Sequence, residues 1–313
     1  MNKLVKLYHK LGSPPSFYRI SGYFLLPFLL LAVGLTAYGL IDGLFFAPTD
    51  YQQKDSYRIM FVHVPAAWMS MFIYAMMGIA AIMAYVWRMK VAEAVMIASA
   101  PIGAAFTVIC LVTGMLWGKP MWGTYWDWDA RMTSELILLF LYIGVLAMYA
   151  AFDDEPRKAA RLTALVAIIG LVNLPIIHYS VYWWSSIHQG SSVSLTGGSG
   201  IKDWDMLRPL LVMAIATKFY YGYSMLHRSR SYLLKTEAKK QWVAEALGVS
   251  EKNKKGVVRL LLKCFYFRFF FSISFCFFSC SLRTSLMKLF LPNSRVITHL
   301  FKSNPRAGQY SLP

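Results

Sequence analysis

Long apolar stretches alternate with short polar segments along most of the chain, and six of them, at roughly 21–41, 60–87, 95–116, 134–152, 162–182 and 207–226, reach the length of a membrane span. A helix needs about 20 mainly apolar residues to cross the hydrocarbon core, so the pattern predicts an all-α, polytopic transmembrane helix bundle of about six spans. With the N-terminus inside, fourteen Lys and Arg residues fall on the inner segments and six on the outer loops, which is the asymmetry that sets orientation. The last of these stretches is the most polar, because Arg208 and Lys218 interrupt it. Arg208 is expected to reach the outer headgroups, with Pro209 at the helix start, and Lys218 to snorkel inward.

Composition agrees with this reading: 57% of the residues are hydrophobic and 15% charged, a balance typical of membrane rather than soluble proteins. The net charge of +17 raises nucleic-acid binding, but its distribution argues against that. Ten of those charges come from residues 251–313, and inner loops facing anionic lipid account for the rest. The expected organisation is an inner N-terminal segment 1–20, a membrane domain 21–226, a basic inner segment 227–250 and a basic, Phe-rich C-terminal tail 251–313. Within the tail, Cys264 to Cys280 is short for a span, and crossing there would put five basic residues outside. Met1 to Arg19 lacks a small-residue cleavage site after a short apolar core, so the first span is expected to remain in the mature protein. No cysteine lies in an outer loop and no Cys-x-x-Cys-His occurs, so neither a disulfide framework nor covalent c-type haem attachment is expected.

Between the third and fourth stretches lies Trp117 to Glu135, which carries Trp117, Trp122, Tyr125, Trp126 and Trp128 together with Asp127, Asp129 and Arg131. Gly118, Pro120 and Gly123 are helix breakers, so the segment is expected to be a loop at the lipid–water boundary, its tryptophan-rich part running over 117–133 with Thr133 or Ser134 capping the next helix. Interfacial anchoring explains one or two aromatics at a helix end; four indoles interleaved with glycines suit a flat, apolar, partly charged ligand. With six spans, the loops bordering His63, holding the tryptophans and holding His188 all fall outside. Pro65 is expected in the first turn of the second span, which places His63 at its mouth. Asn173 and Pro175 are expected to kink the fifth span before the aromatic run holding His178 and His188. In a helix those two imidazoles stand about 15 Å apart along the axis, so one is structural. His178 sits deeper, whereas His188 adjoins the Ser/Gly-rich stretch Gln189 to Gly200, which suits a mobile outer lid.

The run Trp-Gly-x-x-x-Trp-Gly-x-x-Trp-x-Trp-Asp-x-Arg-x-Thr-Ser-Glu resembles the "WWD" segment of the haem-handling proteins of cytochrome c maturation. From about residue 7 to about residue 245 the chain is similar to the haem exporter protein C (CcmC) family of that group. The resemblance implies transient binding of haem b on the outer, periplasmic face and its delivery to a periplasmic haem chaperone. It also implies an ATP-binding cassette pair of ATPase and permease subunits, a small single-span subunit, and location in the bacterial inner membrane, with the mitochondrial inner membrane as the equivalent. The family's functional histidines match His63 and His188, here candidates for the axial positions of the iron. Trp117, Trp122, Tyr125, Trp126 and Trp128 form the candidate platform. Arg131 is placed to pair with a propionate or with Asp127 or Asp129, and Asp129 completes the candidate set. Tyr125-Trp126 stands where a paired tryptophan is expected, and Asp127 where an apolar residue is expected.

No Walker A loop, Gly-x-Ser-x-Gly or His-Glu-x-x-His is present, so no ATPase or independent enzyme is expected, and driving energy must come from a partner. Two other readings stay open. One is a membrane b-type cytochrome carrying electrons through a permanent haem; the other is a haem-transport permease, for which Pro101, Asn173 and Pro175 offer a thin midplane path.

Overall fold

A computed structural model describes residues 12–152, 154–184, 186–188, 201 and 203–247. The chain divides into a unit Met1–Phe267 and a second unit Arg268–Pro313, and all described residues belong to the first. The 189–200 stretch and the 251–313 tail lie outside the described residues.

Among the described residues the structure is helical throughout, without strands. The elements are α1 (Pro14–Ile41), α2 (Met60–Trp87), α3 (Lys90–Trp122), α4 (Ala130–Ala151), α5 (Pro156–Ile169), α6 (Asn173–Trp183), α7 (Trp204–Thr236) and the short α8 (Gln241–Leu247). Five helical segments are long and apolar enough to cross a membrane: Pro14–Phe46, Asp55–Trp87, Lys90–Trp122, Ala130–Ala151 and Pro156–Trp183. α7 is too polar to join them on composition, but its contacts show how far it runs. Arg208 near its start pairs with Asp42 at the end of α1, through Nε at 2.9 Å and Nη2 at 2.8 Å. Arg230 near its end donates to Tyr18 O and, at 3.2 Å, to Ser21 Oγ at the start of α1. α7 is therefore antiparallel to α1 and runs beside it along most of its length.

Small residues let these two helices approach closely, as is usual where no hydrophobic force operates between helices in lipid. A Cβ on Gly39 would sit 2.8 Å from Met213 Cγ, and one on Gly222 2.8 Å from Phe28 Cδ2. The centre of the bundle is packed by Met69, Ile73, Tyr74 and Met77 of α2, Met96 of α3, and Leu138, Tyr142 and Val145 of α4, all fully buried. Tyr74 and Tyr142 meet edge to face at 4.9 Å between centroids. Their bulk fits because Gly170 faces Tyr74 and Gly103 faces Tyr142. Tyr142 Oη donates to Ser70 O at 2.7 Å, which satisfies a hydroxyl that lipid could not.

Several boundaries differ from the sequence reading. α3 does not stop near residue 116: Trp117 to Trp122 are its last turn and a half, and only 123–129 form the loop. Pro120 omits a single ladder hydrogen bond so near the helix end, so the break falls at Gly123, which takes φ +78° and donates its N–H to Lys119 O. Asp129, not Thr133 or Ser134, caps α4, accepting from the Arg131 N–H at 3.0 Å. Pro65 and Pro209 lie in the second turns of helices that begin at Met60 and Trp204 rather than in first turns, while His63, the fourth residue of α2, stays near its mouth. The fifth span breaks at a 3₁₀ turn, Gly170–Val172, just before Asn173, where Pro175 lacks the N–H that would bond the Leu171 carbonyl, in agreement with the expected kink. Arg208 pairs with Asp42 and Asp205, and Lys218 Nζ stands over the Phe72 ring at 4.8 Å.

Candidate functional site

The end of α3 organises the site. Cys110, Thr113, Gly114 and Trp117 recur at helical spacing and meet His63 from α2. His63 Nδ1 lies 3.0 Å from Cys110 O and 3.0 Å from Thr113 Oγ1. The Thr113 hydroxyl donates to Ile109 O at 2.6 Å, so toward the imidazole it can only accept. With two acceptors facing Nδ1, that nitrogen carries the proton and the ring lone pair sits on Nε2. Gly114 makes room for the ring, since a Cβ there would lie 3.0 Å from His63 Cε1. Trp117 meets His63 edge to face at 5.6 Å and is itself fixed by an Nε1 donation to Gln53 Oε1 at 3.0 Å.

His188 is held by the same logic from the other side of the loop. Its Nδ1 lies 2.9 Å from Asp129 Oδ2, a carboxylate that can only accept, so the proton again sits on Nδ1 and the lone pair on Nε2. Trp122 meets the ring edge to face at 4.9 Å. Trp117 and Trp122 are five residues apart on one helix, about 7.5 Å along its axis at 1.5 Å per residue. The structure thus brings His63 and His188 to one end of α3, each with an indole against it. His178 is not part of this arrangement: its ring meets Tyr179 at 4.8 Å, and its carbonyl accepts from Arg131 Nη2 at 3.4 Å.

The remaining candidates line the loop. Trp126 and Trp128 stand edge to face at 5.5 Å, and Trp128 is 74% exposed, the most exposed indole of the loop. Lys119 lies over the Tyr125 ring at 5.2 Å. Arg131 does not pair with Asp127 or Asp129 through its guanidinium; Nε reaches Ser180 Oγ at 3.4 Å. Two buried polar atoms here, Trp126 Nε1 and Asp129 Oδ1, have no partner among the described residues. Cys110, Thr113 and Gln53 were missed as site residues. The spacing Cys110, Thr113, Gly114, Trp117 would have found the first two, had the helix been extended through Trp117.

Burial holds His188 below the ordinary imidazole value of 6.5, with the Asp129 charge acting against it. Burial by itself would raise Asp129, but the Ser186 hydroxyl, the His188 ring and the Arg131 N–H outweigh it and hold the carboxyl below its ordinary 3.8. Both groups bind fewer protons folded than unfolded. Their contribution to stability is therefore complete above about pH 6.5 and is lost as pH falls through the depressed imidazole value, then further as Asp129 protonates. The thermal midpoint of the wild-type protein should fall more between pH 7 and pH 5 than that of His188→Ala; parallel curves would contradict the coupling.

Fold and site together define a multi-pass helical membrane protein with two Nε2-competent imidazoles beside an indole-rich surface. The model of the heme exporter protein C family matches residues 7–244, and the chain belongs to that family. It is 50% identical to heme exporter protein C of Escherichia coli (strain K12) over 248 residues, 77% of this chain and 97% of that protein. It is 48% identical to that of Haemophilus influenzae over 238 residues (76% and 96%) and 46% identical to that of Bradyrhizobium diazoefficiens over 228 residues (73% and 84%).

Proposed function

We propose that this protein binds haem b transiently on the outer face of the membrane and hands it to a periplasmic haem chaperone during cytochrome c maturation. The observation that carries the reading is the matched tautomer of His63 and His188, each with Nδ1 committed to an acceptor and its lone pair on Nε2. A haem iron between two such nitrogens has both axial positions filled without either imidazole giving up a proton. The indoles cover the macrocycle, and Arg131 and Lys119 face the propionates, where charge-assisted contacts are stronger than neutral ones. The family's name supports haem as the cargo.

Haem is substrate here, and the protein's own residues perform the work of holding it. Thr113 and Cys110 O fix the His63 ring, Asp129 fixes the His188 ring, and the half-exposed indoles offer the macrocycle an apolar face. The partners in this reading are ABC-type ATPase and permease subunits and a small single-span subunit, which supply the energy that this chain has no nucleotide loop to harvest.

Trp128 is the indole assigned to the chaperone, because it is the most exposed indole of the loop. Trp128→Ala should retain the wild-type haem spectrum while haem transfer to the co-expressed chaperone falls by about tenfold or more, as for an interface anchor. Equal loss of haem content and transfer would place Trp128 in the haem platform instead; unchanged transfer would remove it from docking.

A further inference from the structure

Glu135 is a carboxyl inside the bundle that the site as described does not use. It lies on α4, one turn beyond Arg131, and is 5% exposed. Its polar neighbours come from three helices: Ser70 on α2, Cys110 on α3 and Arg131 on α4 itself. Tyr142, further along α4, also lies within reach of its charge, although Tyr142 Oη donates to Ser70 O. Ser70 directs its proton to Ala67 O at 2.8 Å, so the carboxyl faces a hydroxyl already committed elsewhere, the Cys110 thiol, a weak donor, and the Arg131 cation one turn back. Glu135 Oε1 accordingly has no hydrogen-bond partner among the described residues. An ionisable group within a membrane bundle is expensive to maintain and marks function more often than structure.

Arg131 is equally unsettled. It is the second residue of α4, a cation at the positive pole of the helix dipole. Its guanidinium makes two contacts, to Ser180 Oγ and His178 O, both at 3.4 Å, long for such a donor, and it forms no ion pair within 4 Å among the described residues. Each of the two residues nonetheless lies in the field of the other. A cation loosely held above an under-satisfied buried anion is an arrangement in which an incoming carboxylate must compete with the resident one.

We propose that Glu135 is the internal counter-charge of Arg131 and a specificity-determining residue of the outer site: it weakens the hold on a carboxylate-bearing porphyrin so that the ligand can leave again. This rests on the reading of the outer site as a porphyrin site. Removing the charge at Glu135 strengthens binding only of ligands that carry carboxylates, and only while Arg131 is present.

The test uses the full-length protein in detergent, titrated with iron-free protoporphyrin IX and with its dimethyl ester, and followed by quenching of tryptophan fluorescence. Without iron, axial ligation does not contribute to the signal. Glu135→Gln should bind the diacid about three- to tenfold more tightly than wild type, the size expected of one partly screened charge, with the ester unchanged. In an Arg131→Gln background the same substitution should have no effect. Glu135→Met, which fills similar volume without polarity, should give the same gain in the acid-to-ester ratio and covers the event that the Gln variant does not fold. An equal change for both porphyrins, no change for either, or a gain that survives in Arg131→Gln overturns the inference while leaving the porphyrin site standing. Failure of the wild-type protein to bind either porphyrin overturns the site and this inference together.

Discussion

Asp129→Ala should lower haem retention by about 10- to 100-fold, the usual effect of removing the residue that orients a metal-binding histidine. The expectation follows from the two contacts made by one carboxylate: Oδ2 accepts from His188 Nδ1 and from the Arg131 N–H. Alanine frees the His188 ring to rotate and to take the other tautomer, and it removes the α4 N-cap, worth about 1 kcal/mol. Asparagine separates the two effects. Its amide oxygen can still cap the helix and accept from His188, so Asp129→Asn should lower the melting temperature less than Asp129→Ala does and lose only the part of haem retention that depends on charge. Haem content per protein and thermal unfolding, measured on both variants, check this. Retention of wild-type haem in Asp129→Ala would mean that His188 needs no support.

The largest effect on stability is expected from Tyr142→Ala, at about 3–5 kcal/mol, the range for truncating a fully buried aromatic side chain. Three observations place it there: the ring is fully buried, it packs edge to face on Tyr74, and its hydroxyl satisfies Ser70 O. Gly103 makes room for the ring, since a Cβ there would overlap it, and truncation leaves a cavity in the packed centre of the bundle. Tyr142→Phe removes only the hydrogen bond and should cost about 1 kcal/mol. Thermal unfolding in detergent measures both, and similar losses for the two variants would show that packing is not what the ring supplies.

Hydrophobic periodicity made the bundle legible, because span length and the placement of Lys and Arg are set by lipid whatever the tertiary contacts. The start and end of α2 were read correctly, but the breakers misled elsewhere. Pro120 and Gly118 look like the end of α3, yet a proline in a last turn omits one hydrogen bond and a glycine beneath Trp122 improves packing, so the helix runs on to Gly123. The pairing of Arg208 with Asp42 was not legible, because the two are 166 residues apart. The histidines and tryptophans of the candidate site were proposed from their types and from the face that the span count assigns them. What holds them could not be read that way: Thr113, Cys110 O and Asp129 act through distances that only the packing of α2, α3 and α4 creates.

The visible absorption spectrum and haem content of the detergent-purified protein test the central claim most directly, with wild type compared against His63→Ala, His188→Ala and His178→Ala, each expressed with and without the chaperone. Haem should copurify with wild type, substitution of His63 or His188 should alter the axial-ligand spectrum or abolish transfer, and His178→Ala should keep the wild-type spectrum. A wild-type protein without haem under every condition, or unchanged spectra and transfer in all three variants, would contradict that claim.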